Sequence, residues 1–247
     1  MVDLALDQFI GAAFGLVLSG ILAFFVKRVR ISGVKRLWRL REPDTVSIIL
    51  ATSATVGTGA YSRRMTGLGQ ARALGLLVPS LTRAYGNLDS NAVSFSVHTN
   101  GVSREGDLIL LGGPKNNEVT REVLERMASR LPITIQTNGD EEILHNAPGG
   151  GVVVLPPAST PAPSDSRPGY DYGYILRAVN CFNAKTSVTV FAGTHTYGTG
   201  AAVRYFLDNP KKFRSLGNRQ YALVVKVRVM GDEFIETPEL VLGPSEF

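Results

Sequence analysis

A single cysteine, Cys181, among 247 residues excludes an internal disulfide and fits a reducing compartment. It follows an apolar stretch with no base partner in view, so it reads as buried packing rather than as a nucleophile. The three histidines, His98, His145 and His195, are too few and too scattered for a zinc site. Net charge is missing from most of the chain. Residues 1–41 hold seven of the 26 basic residues and two of the 21 acidic ones, which leaves 19 of each in residues 42–247. A neutral body of this kind argues against nucleic acid as the main partner. There is no Gly-x-Ser-x-Gly, no His-Glu-x-x-His and no kinase set, and no paired carboxylates stand out for glycoside hydrolysis. Location and architecture are therefore more legible than any reaction.

What is present begins with one long uncharged run, residues 8–26, followed at once by Lys27, Arg28, Arg30, Lys35, Arg36, Arg39 and Arg41. A bilayer core needs roughly 20 apolar residues in a helix, and residues 4–26 supply them. The charge before the run is negative (Asp3, Asp7) and no small-residue cleavage site follows it, so it reads as an uncleaved anchor, not a signal peptide. Basic residues on its far side predict an outside N-terminus and a cytoplasmic C-terminal domain. Gly11, Gly15 and Ser19 form a small-xxx-small row that would let two such helices pair as a homodimer. Residues 27–41 would attract anionic lipid headgroups, or would serve only to fix orientation. Trp38, between Leu37 and Leu40, is expected at the lipid interface. The division expected is a transmembrane helix at 1–26, a basic juxtamembrane segment at 27–43 and a cytosolic α/β domain at 44–247.

Within that domain, residues 46–51 read as a buried strand, and a Gly-rich loop from 52 to 59 continues to Met65. Thr66 is placed to cap a helix over 67–85, which Pro79 should kink or split. Residues 93–97 alternate as a strand. Residues 107–111 form the clearest central strand, and a helix capped by Asn116 or Asn117 follows. Strands at 133–136 and 151–155 suit an antiparallel edge, with the Asp140-Glu141-Glu142 run as a solvated hairpin turn and His145 at the surface. Residues 156–169 hold five prolines and read as a mobile Pro/Ser-rich loop inserted in one domain. Strands at 174–179, 187–192 and 221–229 and a helix at 201–207 complete a Rossmann-like three-layer α/β domain. Its sheet is expected to be mostly parallel with antiparallel edges.

Three of these strands run into small-residue loops that open helices, and ligands of open α/β sheets bind beyond the carboxyl ends of the strands. Helix N-termini present free N–H groups and partial positive charge to phosphate or carboxylate. The expected ligand site takes Ser53, Gly57, Thr58 and Gly59 from the first loop, with Arg63 and Arg64 reaching over it. It takes Gly112, Gly113, Lys115, Asn116 and Asn117 from the second, and Gly193, Thr194, His195, Thr196 and Thr199 from the third. The second loop is the sharpest: two glycines permit an abrupt turn, Lys115 adds charge, and the two asparagines offer amide donors. Asn117 would otherwise serve only as a helix cap. It is no P-loop, and Gly57-Thr58-Gly59 supplies only part of a dinucleotide fingerprint. His195 and His98 are the candidates for acid–base work; His195 would otherwise only hold its own loop.

The strand at 107–111 running into Gly-Gly-Pro-x-x-Asn is similar to segments of archaeal surface-layer proteins. It spans residues 107–117 alone and implies no function for the chain. The expectation is a single-pass membrane protein of bacterial type whose cytosolic domain binds a nucleotide or other phosphorylated small molecule, as sensor or effector. A nucleotide-directed hydrolase or transferase in the same crevice is the first alternative. A non-catalytic interaction scaffold at the membrane is the second. No metal and no particular cofactor is indicated.

Overall fold

The computed structural model describes residues 2–59, 61–86, 88–96, 104–138, 140–146, 152–159, 167–231 and 233–247; for 2–15, 58, 138, 140, 141 and 146 it describes the backbone alone. The chain opens with one continuous helix, α1 (Val2–Trp38). Strand β1 (Ser47–Leu50) leads to a hairpin of β2 (Ala54–Thr58) and β3 (Tyr61–Met65), then to helix α2 (Leu68–Tyr85). Strands β4 (Val93–Phe95) and β5 (Leu108–Leu111) follow, then α3 (Glu118–Met127). Next come β6 (Ile133–Asn138), β7 (Asp140–Asn146), β8 (Val152–Val154), β9 (Gly169–Val179) and β10 (Ser187–Gly193). Helices α4 (Thr196–Asp208) and α5 (Pro210–Leu216) precede β11 (Tyr221–Met230), β12 (Glu233–Phe234) and β13 (Glu239–Glu246).

The main sheet runs β12-β11-β9-β10-β5-β1-β4, with β13 also paired to β11. Strands β4, β1, β5 and β10 are mutually parallel, and β9, β11, β12 and β13 add antiparallel pairings. The architecture is a mixed α/β domain compatible with a Rossmann-like fold. Both faces of the parallel half are covered, so β1 and β5 read as unbroken apolar runs. On one face Ile48, Leu50, Ile109, Leu111 and Phe191 pack against Leu77 and Leu81 of α2 and Phe206 of α4. On the other, Ile49, Leu108, Leu110, Val188 and Val190 pack against Val119, Val123, Leu124 and Met127 of α3. Ile133, Ile135 and Ile143 join that second face from β6 and β7. With β8 these strands make a separate three-stranded antiparallel sheet, not an edge of the main one. The Asp140-Glu141-Glu142 run expected as the hairpin turn instead begins β7, paired with Asn138, Thr137 and Gln136 of β6.

Pro79 does not break α2. Leu77, Leu81 and Ala84 flank it and are buried against the sheet. That burial outweighs the roughly 3 kcal/mol that proline costs inside a helix. The cap is Gly67 rather than Thr66.

The end of α1 corrects a larger expectation. Trp38 is not at a lipid interface: it is completely buried, edge-on to Phe191 and tilted against Phe206, with its indole N–H donating to Ser80 Oγ at 2.8 Å. Leu37 is buried beside it, and Val34 and Leu40 pack against the same cluster. Arg39 ends the helix at φ 46°, and its carbonyl accepts from the buried Arg177 guanidinium at 2.8 Å. Leu40 N donates to Tyr85 Oη at 3.2 Å, and buried Asp107 accepts from Arg41 N and Glu42 N, both at 2.6 Å. The end of the basic segment therefore belongs to the domain, because its apolar residues are the lid of one core face. Among the described residues no helix is long and apolar enough to cross a membrane. Residues 8–15 of the expected span, with Gly11 and Gly15 of the small-residue row, lie outside the residues whose side chains are described.

Candidate functional site

Strands β10, β5 and β1 are adjacent and parallel, so their carboxyl ends open on the same edge of the sheet. There a crevice of about 210 Å³ is lined by the loops after all three and by the start of α2. The loops are tied together by backbone. Thr52 N donates to Asn116 O at 2.8 Å, Ala51 N to Leu111 O at 2.8 Å and Gly112 N to Phe191 O at 2.8 Å. Gly112 is held at φ 111°, and a Cβ there would stand 2.4 Å from that of Ala51. Glycine is thus required for the first two loops to lie so close.

Ser53, Gly113, Lys115, Asn116, Gly193, Thr194, His195 and Thr196 all line this crevice. Gly112, Asn117 and Thr199 lie beneath it, fully enclosed. Asn117 is spent on the fold. Its Oδ1 accepts from Thr120 N at 3.1 Å, capping α3, while Nδ2 donates to Ile49 O at 3.1 Å and Leu111 O at 3.3 Å. It has no amide hydrogen left for a ligand.

The first loop departs from expectation. Residues 54–65 are not an open phosphate loop but the β2–β3 hairpin, paired from Ala54↔Met65 to Thr58↔Tyr61. Gly59, at φ 68°, opens the two-residue turn. Gly57, Thr58, Gly59, Arg63 and Arg64 therefore stand on the hairpin, and among those whose side chains are described, Gly57, Gly59, Arg63 and Arg64 do not line the crevice. The Arg63 guanidinium lies over the Tyr61 ring instead, 5.5 Å from its centre. His98 lies outside the described residues. His145 is in β7, paired with Ile133 and Val153 in the small sheet.

Two residues that sequence reasoning missed organise the site. Asp171, on β9, is fully buried under the third loop. Its Oδ1 accepts from the Thr194 hydroxyl at 2.8 Å, His195 N at 3.1 Å and Tyr172 N at 2.8 Å. Its Oδ2 accepts from Gly198 N at 2.6 Å. A carboxylate of the protein itself thus occupies the N-terminus of α4, where an external anion was expected. Burial pushes the Asp171 carboxyl above the usual carboxylate range, opposed by the hydrogen bonds from Thr194 and Gly198 and by the nearby His195. Nothing in the Gly-Tyr-Asp-Tyr-Gly run marks that aspartate, because only the pairing of β9 with β10 carries it under the loop.

The second is Gln70, in the first turn of α2, which lines the crevice although only 8 % exposed. Its Oε1 is buried without a hydrogen-bond partner. Such a group costs about 1–3 kcal/mol when left unsatisfied. The start of α2 is seated by Gly69, whose N–H donates to Thr196 Oγ1 at 3.1 Å.

The lining is therefore polar, with one lysine at the rim, a half-buried imidazole and no acidic side chain among the described residues. With α3 and α4 capped internally, a ligand would be held by side chains and by the first turn of α2, whose N-cap Gly67 has no capping side chain. Among the described residues no group of histidine, cysteine and acidic side chains could hold a metal ion. No protein-family model matches the chain, and no curated protein matches it.

Proposed function

We propose that the chain is a membrane-anchored α/β domain that binds a nucleotide or other phosphorylated small molecule beyond the carboxyl ends of β1, β5 and β10, as a sensor or effector. The observation that carries this reading is the convergence of the loops after three adjacent parallel strands on one polar crevice. Lys115 supplies positive charge there, and Asn116 and Thr196 supply hydrogen-bonding groups, with no carboxylate among the described lining residues to repel an anion. At about 210 Å³ the crevice is smaller than the roughly 300–1,000 Å³ of common small-molecule pockets. It suits a phosphate and its immediate neighbour rather than a whole dinucleotide.

The anchor rests on α1. Its residues 16–30 are exposed on every side, and Leu16, Val17, Leu18, Ile21, Leu22, Phe24, Phe25 and Val26 are among them. The uncharged stretch 16–26, exposed on every side, is suited to lipid. Lys27, Arg28 and Arg30 just beyond support a cytoplasmic domain with anionic headgroups beside the helix.

The test is a thermal-shift panel of nucleotides and sugar phosphates on the full chain in detergent. A ligand at 100 times its dissociation constant adds about 2.7 kcal/mol of stability. A shift that Lys115→Ala removes supports the reading; no shift across the panel sinks it. His195, half-buried on the crevice wall between Thr194 and Thr196, favours one second reading, a hydrolase or transferase using this imidazole as acid or base. His195→Ala would then abolish turnover and leave binding intact.

A further inference from the structure

The Gln70 side chain is enclosed in a space that two glycines keep open. A Cβ on Gly67 would stand 2.5 Å from Gln70 Oε1, and one on Gly112 would stand 3.4 Å from Gln70 Nε2. The amide sits in the crevice wall, more than nine-tenths buried, and its Oε1 finds no partner in the fold. Of the six buried side-chain atoms left without a partner among the described residues, it is the one on a residue that lines the crevice, where a ligand would satisfy it. A half-turn of the amide exchanges its oxygen and nitrogen, so Gln70 can meet a group that donates or one that accepts.

The remaining lining narrows what that group is. Thr196 Oγ1 accepts from Gly69 N and retains a proton to donate. Asn116 adds a hydrogen-bonding group, while the Ser53 hydroxyl is already given to Met65 O and the Thr194 hydroxyl to Asp171. Apart from the His195 imidazole, no aromatic ring lines the crevice among the described residues, so a nucleobase would meet no broad stacking face. Ligand hydroxyls, which both donate and accept, match this set.

We infer that the crevice takes a free sugar phosphate, with Gln70 hydrogen-bonding the sugar hydroxyls and Lys115 holding the phosphate. This rests on the phosphate-ligand reading above and specifies its ligand.

Calorimetric titration of the full chain in detergent with ribose 5-phosphate, glucose 6-phosphate, AMP, adenosine and inorganic phosphate tests it. At least one sugar phosphate should bind ten times more tightly than inorganic phosphate, and AMP no more tightly than ribose 5-phosphate. Gln70→Met keeps the length and removes the amide. It should weaken the sugar phosphate at least tenfold, leave inorganic phosphate unchanged and not lower the melting temperature. Equal affinity for sugar phosphate and inorganic phosphate, which needs no variant to observe, overturns the inference and spares the phosphate-ligand reading. AMP binding ten times more tightly than ribose 5-phosphate, or sugar-phosphate affinity unmoved in Gln70→Met, does the same. No binding by any phosphate compound overturns both.

Discussion

The Gly69 amide donates to the Thr196 hydroxyl at 3.1 Å, and a Cβ on Gly69 would fall 1.4 Å from the Thr196 carbonyl oxygen. The first turns of α2 and α4 touch through backbone, and this contact closes one wall of the crevice. Gly69→Ala should therefore destabilise the domain by about 1–3 kcal/mol or more, the range for overpacking a tight contact. Gly75→Ala, in the same helix with nothing within 4 Å of the added methyl, should stabilise it by about 0.5–1 kcal/mol. Urea midpoints of the two variants check both signs, and equal shifts would show that the helices do not meet here.

Asp171 makes stability depend on pH in an unusual direction. Its folded pKa is raised by burial above an unfolded value of about 3.9. Between the two values the folded state keeps a proton that the unfolded chain has lost. The stability it contributes is thus fully present below the unfolded pKa and lost as pH rises through the folded one. Asp171→Asn sets an amide group against Gly198 N–H and should cost about 1–3 kcal/mol. The gap between wild type and variant should narrow as pH rises above 3.9, by denaturant titration at several pH values. A widening gap would mean that the hydrogen bonds outweigh burial and depress the pKa.

Trp38 is the only tryptophan, so its fluorescence reports a single site. Enclosed by Phe191 and Phe206, it should resist quenching by acrylamide and by brominated lipid alike. Quenching by the lipid would restore the interfacial position first expected. Trp38→Ala should cost about 3–5 kcal/mol, as for other large core truncations.

Arg177 is almost wholly buried, and its guanidinium spans the Arg39 carbonyl and Thr189 Oγ1. Arg177→Met leaves that carbonyl unpaired and should cost about 1–3 kcal/mol. Limited proteolysis should then cut near residues 39–42 faster than in wild type. Arg177→Lys should not restore resistance, since one ammonium cannot reproduce the planar fork. Equal cutting rates would show that other contacts hold the end of α1.

The parts of the fold legible in sequence are those with a local physical signature. Apolar runs at residues 47–50, 108–111 and 187–192 need cover on both faces, so they announced themselves as central strands, and the glycine-rich ends after them marked the crevice. The β2–β3 hairpin had a signature too, in its alternation around Gly59, but glycine and threonine made it resemble a phosphate loop. Eight of the expected site residues line the crevice and five belong to the hairpin.

Sequence by itself determined the α/β class, the central strands, a helix cap at Asn116 or Asn117 and the place where three loops meet. These follow from periodicity, turn chemistry and burial along a few consecutive residues. Only the tertiary structure decided that Trp38 enters the core, that Asp171 fills the end of α4 and that Gln70 is left unsatisfied beside the crevice. Each of these depends on a partner dozens of residues away or on the lack of one. Such a pairing is set by how the helices and strands pack together, which local sequence pattern does not encode.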